Sequence, residues 1–175
     1  PALAHARSGV AGGRHPQKLC SPTGCGNTSI GVALFLGAIS TGNRVAFLLN
    51  RVHLVEQPSM RFLRSGIMHG IIQGANTTRI YEPVLVASIQ TVAKRGLPPV
   101  DLLIIDEAHT VAGSKAFRAV IAAAKGVPVV GLSATPYAKG LGKQYPELKG
   151  ALFEKMIVAA TIPELISAGY LVACD

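Results

Sequence analysis

The chain has 175 residues, 49% of them apolar and 15% charged; this composition excludes disorder and gives enough chain for one domain with a buried core, but not for two. Seventeen Lys and Arg against nine Asp and Glu leave a formal charge of +8, which favours a polyanionic partner, nucleic acid before a membrane surface, with a merely solvated basic surface as the alternative. Cys20, Cys25 and Cys174 lack Cys-x-x-Cys spacing and the five histidines lack His-x-x-x-His spacing, so neither a disulfide framework nor a zinc or histidine metal centre is expected, and a reducing cytoplasm fits.

Most of the histidines are expected on the surface or in loops. The longest apolar stretch, Ile30 to Ile39, carries two glycines and falls well short of the roughly 20 residues a membrane span needs. No cleavable signal is visible, and because the chain opens on Pro1 rather than methionine, an upstream segment stays open.

In chain order, Pro1 to Ser8 reads as the last turns of a helix stopped by Gly12-Gly13, and Lys18 to Ser21 as a short strand. A glycine-bearing loop follows, then an apolar helix from Thr28 to Ile39 ended by Thr41-Gly42. Arg44 to Leu49 is a continuous β-prone run, the signature of a parallel strand buried on both faces. A helix is predicted over His53 to Leu63, with Pro58 expected to kink or split it. Ile67 to Ile72 reads as a strand and Gly74 to Thr78 as a polar turn. Val84 to Ser88 is a strand, Ile89 to Lys94 a short helix, and Gly96-Leu97-Pro98-Pro99 its breaker. Leu102 to Ile105 is a strand that delivers Asp106-Glu107-Ala108-His109. Ala116 to Lys125 is a helix, and Val127 to Leu132 a strand, interrupted early by Pro128, that delivers Ser133-Ala134-Thr135-Pro136. The tail holds a basic loop from Lys139 to Lys149, a strand near Lys155 to Val158 and a helix begun at Thr161-Ile162-Pro163-Glu164. The alternation of strands and helices implies an α/β domain of three layers with a mostly parallel central sheet.

Two stretches carry chemistry. Ser21 to Thr28, lying between a strand and a helix, has the form of a phosphate-binding loop, in which backbone N–H groups and the helix N-terminus converge on phosphates. A Gly-x-Gly turn before a helix is common in itself, and what gives it weight is the strand ending in Asp106-Glu107. One carboxylate there can hold Mg²⁺ through its water shell and a second can orient or deprotonate an attacking water. An exposed acidic turn is the alternative. Lys139-Gly140-Leu141-Gly142-Lys143 also contains Gly-x-Gly-Lys, but without a preceding strand or a following amphipathic helix it reads as a basic loop.

Pro22 to Thr28, Asp106-Glu107-Ala108-His109 and Ser133-Ala134-Thr135-Pro136 resemble motifs I, II and III of superfamily-two helicases of the DEAD/DEAH type, in order and in interval. Phe47 to Gln57 resembles motif Ia, and Val86 to Thr91 the Ser/Thr-x-Gln-Thr stretch after it. Including Gly140-Leu141-Gly142 and Ile166 to Val172, the chain is most similar to bacterial RadD-like helicases and restriction-type DNA translocases. The resemblance implies a first RecA-like, P-loop motor domain that binds ATP and Mg²⁺ and moves along nucleic acid, DNA before RNA. It implies nucleotide contacts from Thr23, Gly24, Cys25, Gly26, Asn27 and Thr28, with Mg²⁺ held by Thr28 and Asp106 and with Asp106 and Glu107 as the catalytic pair. His109, Ser133 and Thr135 are implied to couple the nucleotide site to the strand, and Arg51, Ser88, Gln90 and Thr91 to face the nucleic-acid backbone.

Two departures bear on activity. Where the family places a lysine that reaches the β- and γ-phosphates, this chain has Asn27, an amide with no charge to offer. The second RecA-like domain, which in the family completes the site with arginine fingers, is not expected within these residues. Two functions stay open: a motor domain with impaired hydrolysis, or a binding module that has given hydrolysis up.

Overall fold

The computed structural model describes residues 17–20, 36–51, 55–111, 114–133 and 155–158. Its eight strands are β1 (Gln17–Cys20), β2 (Val45–Leu49), β3 (Gly70–Gln73), β4 (Asn76–Thr78), β5 (Val84–Ser88), β6 (Leu102–Ile105), β7 (Val129–Ser133) and β8 (Lys155–Val158). The helices among them are α1 (Glu56–Arg64), α2 (Ile89–Arg95), the single turn α3 (Ala108–Val111) and α4 (Lys115–Ala123). Residues 36–39 are also helical and close at Gly42, whose φ of 76° lets the chain reverse.

One sheet runs β4-β3-β5-β2-β6-β7-β1-β8. Every pairing is parallel except β3 with β4. Parallel neighbours need a crossover, and those crossovers put helices on the two faces of the sheet. The side chains divide accordingly. Val45, Phe47 and Leu49 of β2 join Val84, Val86, Leu102 and Ile104 in a core closed by Phe62 of α1. Ala46 and Leu48 join Leu85, Ala87, Leu103 and Ile105 in a second core closed by Val92 of α2 and by Phe117 and Val120 of α4. The alternation of strand side chains is therefore present, but both faces are apolar, which is why the runs read as continuous. Each fully buried Leu, Ile, Val or Phe contributes about 1.5–3 kcal/mol, and Phe62 adds an edge contact to Phe47 at 5.6 Å.

At the amino ends of the strands, Arg44 ties neighbours together. Its backbone N–H donates to Asp101 Oδ2, its Nη1 to the Pro99 carbonyl and its Nη2 to the Ile80 carbonyl, each at 2.8 Å. Its own carbonyl accepts from the Asp101 and Leu102 N–H groups. The start of β2 is thus joined through one residue to the segments that lead into β5 and β6.

Several sequence expectations shift. The helix expected from His53 runs over Glu56–Arg64, and Pro58 lies in its first turn, where no intrahelical donor is needed, so it neither kinks nor splits the helix. The strand expected over Ile67 to Ile72 runs over Gly70–Gln73, because the Ile67 N–H turns back to the Phe62 carbonyl to close α1. The polar turn expected from Gly74 to Thr78 is instead a hairpin loop followed by β4, whose three residues are exposed and carry no apolar alternation to announce a strand. Pro128 precedes β7 rather than interrupting it, and its carbonyl accepts from Leu103 N–H at 2.9 Å. His69 sits in a loop yet is buried, with Nε2 2.6 Å from Ser59 Oγ and Nδ1 3.1 Å from the Ile67 carbonyl. The elements expected before Lys18, between Thr28 and residue 35, in the basic loop and after Val158 lie outside the described residues.

Gly70 marks the tightest approach in the β3–β4 hairpin. A Cβ there would overlap the Arg79 carbonyl and stand 2.8 Å from Leu85 Cδ2. Gly70→Ala is expected to cost about 3 kcal/mol, as overpacking against backbone does, read as a lowered urea midpoint. An unchanged midpoint would show that the hairpin moves aside freely.

Candidate functional site

The carboxyl ends of β5, β2, β6 and β7 form one edge of the sheet, the position at which open α/β sheets place their ligands. The Asp106 N–H donates to the Leu48 carbonyl at 2.9 Å, which carries the β2–β6 pairing one residue past β6 and fixes where the acidic turn begins. Glu107 then takes a φ of 48°, the left-handed region that non-glycine residues enter only when their surroundings hold them there. Thr110 supplies that hold: its N–H and its hydroxyl both donate to the Glu107 carbonyl at 2.8 Å. The turn tightens into α3.

Asp106 Oδ1 accepts from the Glu107 N–H at 3.1 Å. Burial pushes the Asp106 carboxyl above the ordinary carboxylate range, the adjacent Glu107 charge pushes it further, and the Glu107 N–H, Arg61 and His109 act against both. His109 Nδ1 lies 3.1 Å from Ser133 Oγ and 3.2 Å from Glu107 Oε2. As a donor that nitrogen serves the Glu107 carboxylate, and as an acceptor it takes the Ser133 hydroxyl. Glu107 itself remains open, with 47% of its side chain exposed. Asp106, Glu107, His109 and Ser133 are therefore brought together.

The remaining expected residues divide. Thr23, Gly24, Cys25, Gly26, Asn27, Thr28 and Thr135 lie outside the described residues. The strand that leads into the loop is described, and its last residue, Cys20, is in register with Ser133. Arg51 is exposed just past β2. Ser88 and Thr91, expected to face a nucleic-acid backbone, are turned inward. Ser88 is 0% exposed and its hydroxyl caps α2 by accepting from the Thr91 N–H, while the Thr91 hydroxyl, 3.0 Å from Ser88 Oγ, accepts from the Gly74 N–H. Gln90 is the exposed member of that segment. Among the described residues, no three His, Cys, Asp or Glu side chains could hold a metal by themselves. One carboxylate completed by phosphate oxygens and water, the donor set Mg²⁺ prefers, fits the Asp106 turn.

Asn50, within the stretch that resembles motif Ia, and Thr110 had no role of their own in the sequence reading, and the structure joins them to this group: Asn50 Nδ2 donates to Thr110 Oγ1 at 3.0 Å. A polar residue directly after a buried strand, and a threonine three residues after a turn residue, were the available signals.

A family model described as the type III restriction enzyme res subunit matches residues 2–138. The chain belongs to that family. It is a first RecA-like domain of the superfamily-two helicase type. Solved structures agree in fold. The UvsW helicase of bacteriophage T4 is 19% identical with a TM-score of 0.68, over 90% of this chain and 58% of that one. The Hef helicase domain of Pyrococcus furiosus is 22% identical with a TM-score of 0.67, over 93% and 39%. The Sulfolobus solfataricus SWI2/SNF2 ATPase core, solved in complex with double-stranded DNA, is 14% identical with a TM-score of 0.61, over 78% and 32%. This res-subunit-family chain thus spans from about a third to 58% of those proteins. No curated protein matches it by sequence. Among the described residues, no helix is long and apolar enough to cross a membrane.

The raised Asp106 carboxyl has a consequence for stability. The folded chain keeps that proton to a higher pH than the unfolded chain does, so the contribution is fully present below the unfolded value and is lost as pH rises through the folded one. Relative to Asp106→Asn, and without divalent metal, the wild type should lose urea stability from acid toward neutral pH and then level off. A difference that stays flat or grows with pH would contradict the burial of that carboxylate.

Proposed function

We propose that this domain is the ATP- and Mg²⁺-binding motor half of a DNA helicase or translocase whose hydrolysis is weakened by Asn27. One observation carries the reading. The half-exposed Glu107 carboxylate and the partly buried Asp106 stand together at the carboxyl edge, and β1, whose last residue Cys20 is in register with Ser133, immediately precedes the Gly-bearing loop in the chain. Thr23 to Thr28 bind the triphosphate, with N–H groups as donors and the helix N-terminus as the positive end of a dipole. Thr28 and Asp106 hold Mg²⁺, which when bound neutralises charge on the phosphates. Glu107 orients the attacking water and takes its proton, and His109 holds the Glu107 carboxylate against Ser133. Thr135 completes the polar segment after β7. The second RecA-like domain expected in this family contributes the arginine that completes the site.

Nucleic acid lies across the same edge. Arg51 and Gln90 contact phosphates directly, while Ser88 and Thr91 act from beneath by fixing the start of α2. The basic charge favours nucleic acid, and the likeness to the type III restriction res subunit favours DNA over RNA. A domain that binds both ligands without turnover is the second reading, and Asn27 is the residue that favours it.

Asn27→Lys separates the two. A missing phosphate-reaching charge costs on the order of 10²–10³ in rate, so the variant, in the full-length protein, should regain DNA-stimulated ATP hydrolysis by about that factor; no gain would favour the binding module. Normal turnover by the Asn27 protein would refute impaired hydrolysis outright. Affinity for single-stranded DNA should also fall steeply with salt and depend little on sequence, and a salt-independent affinity would remove the phosphate contacts from the proposal.

A further inference from the structure

Along the carboxyl edge, hydrogen bonds pass from strand to strand in the order of the sheet. Gln90, just beyond β5, gives Nε2 to the Asn50 carbonyl and reaches Asn50 Oδ1 at 3.4 Å. Asn50, just beyond β2, gives Nδ2 to Thr110 Oγ1 at 3.0 Å. Thr110 gives its hydroxyl proton to the carbonyl of Glu107, just beyond β6. His109 Nδ1 lies within reach of both the Glu107 carboxylate and Ser133, the last residue of β7. β5, β2 and β6 are consecutive neighbours, so the bonds form one belt from Gln90 to Glu107.

Chemistry fixes the direction of its central links. An amide nitrogen only donates, and a threonine hydroxyl has one proton. With that proton on the Glu107 carbonyl, Thr110 can meet Asn50 only as an acceptor, and its acceptor strength depends on what the Asn50 amide is doing. The belt ends on the backbone of a residue held at a φ of 48°, and the belt's Thr110 hydroxyl is one of the two donors on that residue's carbonyl. At its other end is Gln90, exposed at the sheet edge.

We propose that Asn50 and Thr110 are positioning residues that link Gln90 to Glu107, so that a nucleic-acid strand drawing on the Gln90 amide changes how the Glu107 turn is held. This inference depends on the nucleotide and nucleic-acid function proposed above. Neither Asn50 nor Thr110 touches ligand. Coupling of this kind is reciprocal, so it is measurable by binding without turnover.

The experiment measures the affinity of the full chain for a fluorescent ATP analogue with Mg²⁺, with and without saturating single-stranded oligothymidine. The wild type should shift at least about five-fold between the two conditions. Thr110→Val and Asn50→Ala should each reduce that shift to less than about two-fold while leaving each ligand's separate affinity within about two-fold. Thr110→Ser, which keeps the hydroxyl, should retain the shift. If Thr110→Val does not fold, Asn50→Ala decides alone. A full shift in either variant, loss of the shift in Thr110→Ser, or a wild type that binds both ligands without any shift would overturn the belt and leave the proposed function standing. Failure of the wild type to bind one of the two ligands would overturn the proposed function and the belt with it.

Discussion

The rest of the structure depends on the burial of the central strands on both faces. β2, β5 and β6 present apolar side chains to a helical layer on either side, and a polar side chain midway along them would have to leave water without a partner, at a cost of about 1–3 kcal/mol or more. Polar chemistry is therefore displaced to the strand ends. At the amino ends this produces the Arg44 tie to Asp101, Pro99 and Ile80. At the carboxyl ends it produces Asn50, Ser88, Asp106 and Ser133, each the last residue of its strand or the first beyond it. A site assembled from four separate stretches of chain is the direct outcome of leaving the strand interiors to the core.

That division also decides what could be foreseen from residue order. The runs Val45 to Leu49 and Leu102 to Ile105 were legible because double-sided burial removes alternation and leaves plain apolar runs, and the acidic turn was legible as what such a run delivers. The grouping of His109 with Ser133 was implied by the resemblance of their stretches to helicase motifs II and III. The orientation of Ser88 and Thr91 was not legible, because a helix cap and an outward-facing hydroxyl need the same residue types at the same spacing, and only the placement of Gly74 shows which use prevails. Asn50 and Thr110 were hidden for another reason: they are 60 positions apart, and only the adjacency of β2 and β6 makes them neighbours. Pro58 illustrates the opposite error, since a residue that breaks a helix interior is harmless within the first turn.

The acidic turn combines two opposed environments within adjacent residues. Asp106 is partly buried, so that its charge is disfavoured, and Glu107, half exposed, follows in a backbone conformation that two bonds from Thr110 sustain. Two carboxylates set side by side and facing the same way would repel and titrate together. The left-handed residue turns the Glu107 side chain toward His109, while its charge still adds to the raising of Asp106.

β4 has a consequence that reaches beyond the domain. It is short, reversed relative to every other strand, and presents Asn76, Thr77 and Thr78 to solvent. A sheet of parallel strands would otherwise end on this side in an open row of backbone donors and acceptors, a template onto which a further strand could add. Three polar residues and a tight hairpin make that border a poor template. Lateral growth of the sheet past β4 is thereby disfavoured.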